Sequence, residues 1–210
     1  PVRLRDTTSG TNDVTVVPPS VAAIGAIAKS EATSQGPWFA PAGFNRGGIG
    51  VLGGSAGPRV AGTLEHLTKK DRDDLYEQNI NPIARFPSIG EIVIFGQKTL
   101  QQSPSALDRI NVRRLMIFLK KRIGNVADTI LFDQNVNTTW LRFKTQADAI
   151  LSDVKSRFGL TEYKLVLDET TTTADLVDRN IMYAKIFVKP ARAIEFIAID
   201  FVITRSGVEF

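Results

Sequence analysis

Two stretches decide the fold: NVRRLMIFLKKRI, residues 111–123, and TWLRFKTQADAILSDVKSRF, residues 139–158. In each, apolar side chains recur at spacings of three and four residues, which places them along one face of an α-helix. Gly124 and Gly159 follow the last apolar residues, Ile123 and Phe158, and glycine there is typical of a helix end. The following side chains are predicted to be buried under these helices: Val112, Leu115, Leu119, Ile123, Trp140, Phe143, Ile150, Leu151 and Val154.

Short apolar runs elsewhere predict the strands that these helices cover. Residues 90–95 (GEIVIF) are rich in β-branched side chains and indicate a buried strand. Near-continuous apolar runs suit strands that are covered by helices. Such runs lie at residues 21–28, 129–132, 163–167, 181–188 and 194–204. The sequence therefore predicts an α+β fold, in which a mixed or mainly antiparallel sheet is covered by the two long helices.

The boundaries of other elements follow from their capping residues. Thr68 and Asp71 have the spacing of a capping box, which predicts a short helix from about residue 69 to residue 78. Ser105, after Pro104, is the expected N-cap of the first long helix. Between residues 36 and 58 glycine and proline are frequent, so irregular backbone is expected there.

The composition excludes several classes of site. The chain has no cysteine, and His66 is its only histidine, which excludes disulfides, thiolate metal ligands and imidazole-rich metal sites. With 26 basic and 22 acidic residues the net charge is +4, too small by itself to indicate nucleic-acid binding. The apolar run at residues 21–28 is far shorter than the roughly 20 residues of a membrane span. We therefore predict a protein that is not an enzyme, without catalytic residues, cofactor, metal or direct membrane insertion.

The one motif of a nucleotide site lacks the structural context that the chemistry needs. Gly48, Gly50 and Gly53 match the dinucleotide pattern G-x-G-x-x-G, which holds a pyrophosphate only between a strand and a helix N-terminus. Here Pro58 and further glycines follow instead. An irregular glycine loop is therefore predicted, with an exposed His66 beyond it. Asp168, which precedes a run of threonines, is expected in a turn rather than in an acid–base pair.

Positive charge is concentrated on the two long helices. Residues 101–158 contain ten basic and five acidic side chains. At 100° per residue, Arg109, Arg113 and Lys120 lie within ~40° of one another on the first helix, and Lys144 and Lys155 within ~20° on the second. This pattern indicates either solvated helix faces or a surface for an anionic partner. Nucleic-acid binding through these helices is the alternative function, and it would be strongly salt-dependent.

Five motifs follow one another between about residue 18 and residue 204. Their residues are Gly36, Trp38, Ala40, Pro41 and Ala42; Asn81, Ile83, Gly90, Gly96, Thr99 and Leu100; Asn111 to Leu115; Phe132, Asn135 and Trp140; and Glu195, Phe196 and Ile197. Their order resembles the contractile tail sheath proteins of myophages, R-type bacteriocins and type VI secretion systems, in the conserved C-terminal part of that family. Two positions depart from the usual pattern: Lys29-Ser30-Glu31 stands in place of Arg-Thr-Asp, and Ala193-Ile194 in place of Pro-Ala.

The resemblance implies a structural subunit that polymerises helically around a tail tube and contracts to drive the tube through a cell envelope. Implied partners are further copies of the subunit, the tail tube protein, the baseplate and the tail terminator, with no cofactor or small-molecule substrate. The implied location is the virion tail, after assembly in the host cytoplasm.

The resemblance also implies a division of the chain into a core and two arms. Residues 18–204 would form the core, and residues 1–17 and 205–210 would be extended arms that gain stable contacts only as strands beside a neighbouring subunit. A helix of the core would hold the tube. The second long helix is preferred, through Arg142, Lys144, Lys155 and Arg157; the alternative tube or inter-subunit contacts are Arg109, Arg113, Arg114, Lys120 and Lys121.

Overall fold

A computed structural model describes residues 1–5, 13–34, 36–50 and 59–199. The helices in these ranges are Pro19–Ser34 (α1), Gly43–Arg46 (α2), Lys69–Glu77 (α3), Ile110–Asp128 (α4), Asn137–Ser156 (α5) and Ala174–Asp178 (α6). The strands are Val2–Arg5 (β1), Val14–Val17 (β2), Arg59–Thr63 (β3), Ile83–Phe86 (β4), Glu91–Ile94 (β5), Leu160–Val166 (β6) and Lys185–Pro190 (β7).

The predicted α+β class is confirmed, but the described strands form three small sheets rather than one. Strand β1 lies between β2 and β3, β4 pairs with β5, and β6 pairs with β7. Every one of these pairings is antiparallel. Helices α4 and α5 pack together, and α5 also packs on β6. The long helices therefore cover the β6–β7 sheet, while β1–β3 and β5 enclose a second core with α1.

The burial predicted for the long helices is largely confirmed. Leu151 and Val154 are completely enclosed, while Ile123 and Ile150 are half-buried at the edge of the same core. Phe158, the last apolar residue of the helical pattern, is instead 77% exposed. Helix α5 ends at Ser156, and Phe158 then takes the left-handed conformation with φ 62°, which turns its ring outward. The fully buried predicted residues are Val112, Leu115, Leu119, Trp140, Phe143, Leu151 and Val154.

Trp38 joins the segment after α1 to this core. Its indole N–H donates to the carbonyl of Arg157 at 2.9 Å, and its ring meets Phe118 edge-on at 5.6 Å. A Cβ atom at Gly36 would lie 2.4 Å from the indole, and one at Gly159 would lie 3.0 Å from it and 2.6 Å from Val154. Both glycines are therefore needed because the indole packs directly on their backbone.

The strand predicted at residues 21–28 is wrong, because these residues lie inside helix α1. Proline is favourable in the first helical turn, where Pro19 stands, and alanine is the strongest helix former. Ala22, Ala26 and Ser30 recur every four residues and form the buried face. The short apolar run is thus part of a longer helix whose buried side chains are small.

Two further predicted strands are absent from the described structure. Residues 129–132 form the turn between α4 and α5, where Phe132 has φ 70° and a fully exposed ring. Helix α4 does not end at Gly124, because Val126 and Ala127 extend its apolar face as far as Asp128. Residues 194–199 have no regular secondary structure, and residues 200–204 lie outside the described residues.

The predicted caps are present, although one of them begins a different element. Thr68 and Asp71 form a complete capping box at the start of α3. The Ser105 hydroxyl accepts from the Leu107 N–H at 3.0 Å, but it caps a 3-10 turn at Ala106–Asp108 rather than α4. Helix α4 itself begins at Ile110, after Arg109.

The expectation that residues 1–17 have no stable contacts within the chain is wrong for their described part. Strand β1 pairs with both β2 and β3, and Val2 is 1% exposed in the second core. Residues 6–12 and the predicted arm at 205–210 lie outside the described residues. The division into a core at 18–204 and two arms stays a prediction.

Candidate assembly surfaces

The described part of the glycine motif packs on a strand. The Gly50 N–H donates to the buried Glu91 carboxylate at 2.6 Å, and a Cβ at Gly50 would lie 2.5 Å from the same oxygen. Gly48 bridges to Val93 of β5. These glycines therefore allow the backbone to approach β5 closely, and Gly53 lies outside the described residues.

The other candidate chemical residues lie where the sequence predicts them. His66 is exposed, and Asp168 forms a turn in which its carboxylate accepts from the Thr170 N–H at 2.9 Å. The described ranges contain no group of three potential metal-ligating side chains. Among the helices that the structure describes, none is long and apolar enough to cross a bilayer.

The basic side chains of α5 fall into two groups. Arg142 forms an ion pair with Asp133, and Arg157 forms one with Asp153 at 3.0 Å. Lys144, in contrast, is near Asp168, while the ammonium of Lys155 lies 6.0 Å from the Tyr163 ring centroid. Because Asp168 follows β6 and Tyr163 belongs to it, both lysines lie on the flank of α5 beside β6.

The arginines around the start of α4 are engaged within the chain. Arg109 contacts Glu195 and Asp108, and Arg113 donates to the Leu107 carbonyl at 3.0 Å. Arg114 pairs with Glu31 of α1 at 2.5 Å. These contacts leave less positive charge for an external polyanion, which weakens the nucleic-acid alternative. Lys120 and Lys121, farther along α4, are exposed.

Glu195 is the centre of a polar cluster at the start of α4. The Arg109 guanidinium donates to its two carboxylate oxygens at 2.7 and 2.9 Å, and the Gln97 amide donates at 3.2 Å. The side chains of Arg109 and Glu195 are 28% and 17% exposed. Such bidentate, charge-assisted contacts are stronger than bonds between neutral groups.

Tyr76 connects this cluster to helix α3 and the β4–β5 sheet. Burial, together with a hydrogen bond to Glu195 and the charge of its carboxylate, raises the pKa of Tyr76 well above its ordinary value. A Cβ at Gly96 would lie 2.9 Å from the Tyr76 ring and 2.8 Å from the Asn81 amide oxygen. Asn81 itself bonds the N–H and the carbonyl of Lys98, each at 2.8 Å.

Known proteins similar to this chain are tail sheath proteins. Residues 102–204 match the family model of the phage tail sheath C-terminal domain. The tail sheath protein of Vibrio phage KVP40 is 41% identical over 186 residues, which is 89% of this chain and 26% of that protein. The tail sheath protein of Enterobacteria phage T4 is 38% identical over 200 residues, or 95% of this chain and 29% of that protein. The chain belongs to the phage tail sheath family. It spans a little over a quarter of the length of these two relatives.

The fold of this sheath chain also matches a solved sheath. One similar structure is the PVC sheath complex of an extracellular contractile injection system, captured in its contracted state. The TM-score is 0.78, over 96% of this chain and 54% of that chain, with 24% sequence identity. At this identity the likeness is one of fold.

Three of the sheath motifs that are far apart in sequence meet around Glu195. Asn81 and Gly96 lie beside the Tyr76 ring. Asn111 lines the same cavity as Gln97 and Glu195. Sequence reasoning places these residues in the family pattern but does not predict their contact. It gives Arg109 as an alternative tube or inter-subunit contact and does not predict its pairing with Glu195 within the chain.

Acid is expected to weaken this cluster. Burial alone would raise the pKa of Glu195, but hydrogen bonds from Arg109, Tyr76 and Gln97 and the charge of Arg109 lower the pKa below its ordinary 4.5. Its stabilising contribution is therefore complete above the unfolded pKa and is lost as the pH falls through the folded pKa. In melting experiments, the difference in Tm between wild type and Glu195→Gln should shrink as the pH falls below about 4.5. A difference independent of pH would contradict the assigned charge state.

Proposed function

We propose that this chain is part of a structural subunit that polymerises helically around a tail tube and contracts to drive the tube through a target cell envelope. The main support is its 41% identity with a phage tail sheath protein over 89% of this chain. The fold likeness to a contractile sheath adds to this support. The role is mechanical and requires no catalytic turnover.

The surface of the described chain suits repeated contacts between copies. The β6–β7 sheet has only two strands among the described residues, so backbone groups along its outer edges are available to an added strand. Contacts between different surfaces of identical subunits build a helix when their rotation does not close a ring. Two alternative packings of such subunits can supply the movement of contraction.

The partners in this proposal are further copies of the chain, the tail tube protein, the baseplate and the tail terminator. The subunit would assemble in the cytoplasm of a bacterial host and reside in the tail of the virion. Residues 205–210 would serve as an arm that adds a strand to a neighbouring copy.

Electron microscopy of the full-length protein tests the proposed function directly. Long hollow tubes, formed alone or on purified tail tubes, are the expected result. A monodisperse particle that never polymerises, with or without tubes, would contradict the proposal.

Within this function, we propose the α5 flank beside β6 as the tube contact. Lys144 and Lys155 lie together on this flank, whereas Arg142 and Arg157 are paired with acidic residues of the chain. Exposed ion pairs contribute only about 0.2–1 kcal/mol each. Many subunits acting together would nevertheless hold the tube firmly, while each contact could release during contraction.

Changing Lys144 and Lys155 together to glutamate should weaken sheath assembly on tubes. The loss should be greatest at low ionic strength, because salt screens exposed charges. The melting temperature of each variant is measured alongside, because Lys144 is half-buried near Asp168. Co-sedimentation with purified tubes across a salt series measures the effect. The matched control is Lys69→Glu with Lys70→Glu, which makes the same change of charge at exposed positions of α3. If both double variants bind tubes equally well, the contact lies elsewhere, and Lys120 and Lys121 become the next candidates.

A further inference from the structure

Residues 191–199, which we call the C-terminal segment, follow β7. The Ala191 N–H donates to the Gly159 carbonyl at 3.1 Å. From Arg192 to Ile199, Glu195 is the only residue that forms a hydrogen bond or ion pair with another described residue. Among the described residues, this part of the segment therefore depends on one side chain for its polar attachment.

Packing contributes little to holding this segment. Its large apolar side chains are exposed: Ile194 and Phe196 each 82%, Ile197 78% and Ile199 67%. A cavity of about 640 Å³ also lies between the segment and the start of α4. Without Glu195, residues 192–199 would have neither a buried side chain nor a bonded partner among the described residues.

We propose that Glu195 is a force-bearing anchor, which fixes the C-terminal segment to the start of helix α4 through Arg109 and Gln97. This inference rests on the proposed function, in which chain beyond the segment links neighbouring copies. A force applied through that link would then act on the domain at Glu195 rather than at the end of β7.

The partners of Glu195 are themselves firmly connected to the core. The Ile110 N–H donates to the Gln97 carbonyl at 2.8 Å, and the Thr99 N–H donates to the Asp108 carbonyl at 2.9 Å. Two residues beyond Ile110, Val112 begins the buried face of α4. A load on Glu195 would therefore be distributed between helix α4 and the β4–β5 sheet.

The geometry of this anchor differs from that of an ordinary surface pair of the chain. Lys189 and Glu162 make one contact at 3.3 Å, and their side chains are 68% and 73% exposed. Glu195 instead accepts two parallel bonds from one guanidinium as well as a bond from Gln97. A lysine ammonium cannot donate two parallel hydrogen bonds to one carboxylate as a guanidinium does. The variant Arg109→Lys therefore retains the charge but loses the second bond.

The test compares Glu195→Gln and Arg109→Lys with the control Glu162→Gln in the full-length protein. Trypsin cleavage after the exposed Arg192, followed by mass spectrometry, reports how firmly the neighbouring segment is held. We expect cleavage of Glu195→Gln to be at least about tenfold faster than that of wild type, because charged hydrogen bonds are lost. Arg109→Lys should be intermediate and the control unchanged. Electron microscopy of the same samples should show fewer or broken sheaths for Glu195→Gln.

Each result decides a separate part of the inference. Cleavage of both Glu195→Gln and Arg109→Lys at the wild-type rate would overturn the anchor. If Glu195→Gln does not fold, the rate for Arg109→Lys alone decides this point. Fast cleavage with intact sheaths that still contract would overturn the force-bearing role. If wild type forms no sheaths, the proposed function fails, while the cleavage rates still test the anchor.

Discussion

Replacing Trp38 with alanine is expected to lower the free energy of unfolding by about 3–5 kcal/mol. The indole is 5% exposed, and two of its neighbours, Gly36 and Gly159, have no side chain with which to fill the cavity that it would leave. The substitution also leaves the Arg157 carbonyl without the bond at 2.9 Å that the indole provides. Equilibrium denaturation by urea measures the loss.

Two further variants separate the contributions of the ring and the hydrogen bond. Trp38→Phe keeps an aromatic ring but removes the indole N–H, and it should cost less than Trp38→Ala. Gly159→Ala adds a methyl group 2.6 Å from Val154 and 3.0 Å from the indole, so it should also destabilise the chain. Equal stability of Trp38→Ala and wild type would mean that the indole does not occupy this site.

The long helices are predictable from sequence because their burial is periodic. Leu115 and Leu119 are large apolar residues spaced four apart in α4, Phe143 and Leu151 are spaced eight apart in α5, and each is at most 3% exposed. The capping box at Thr68 is similarly local, because both of its hydrogen bonds connect residues within one helical turn. Such elements can be predicted because the residues that determine them are close together in the sequence.

Helix α1 shows where such a pattern fails. Ala22, Ala26 and Ser30 form its buried face, and such small side chains give little contrast between a buried and an exposed position. The exposed Val21 and Ile24 make the same stretch look like a buried strand. Here small side chains, rather than large apolar ones, form the packed face of the helix.

The cluster around Glu195 could not be predicted from spacing alone. Its bonds to Gln97 and Arg109 join residues 98 and 86 positions apart. Family resemblance identifies Glu195, Gly96 and Asn81 as motif positions, but only the fold shows that they meet at Tyr76. The sequence does not show that Arg109 is paired, because its carboxylate partner lies 86 positions away.

Replacing Leu151 with alanine should lower the free energy of unfolding by about 2–5 kcal/mol. Leu151 is 0% exposed in the centre of the core between α4, α5 and β6. Truncation removes buried apolar area and leaves a cavity that a closely packed interior fills only in part.

The matched control is Leu141→Ala, the same substitution in the same helix at a site that is 63% exposed. This control should change stability by less than about 0.5 kcal/mol. Urea denaturation of both variants tests the orientation of α5, because equal losses would contradict the burial of Leu151 and the exposure of Leu141.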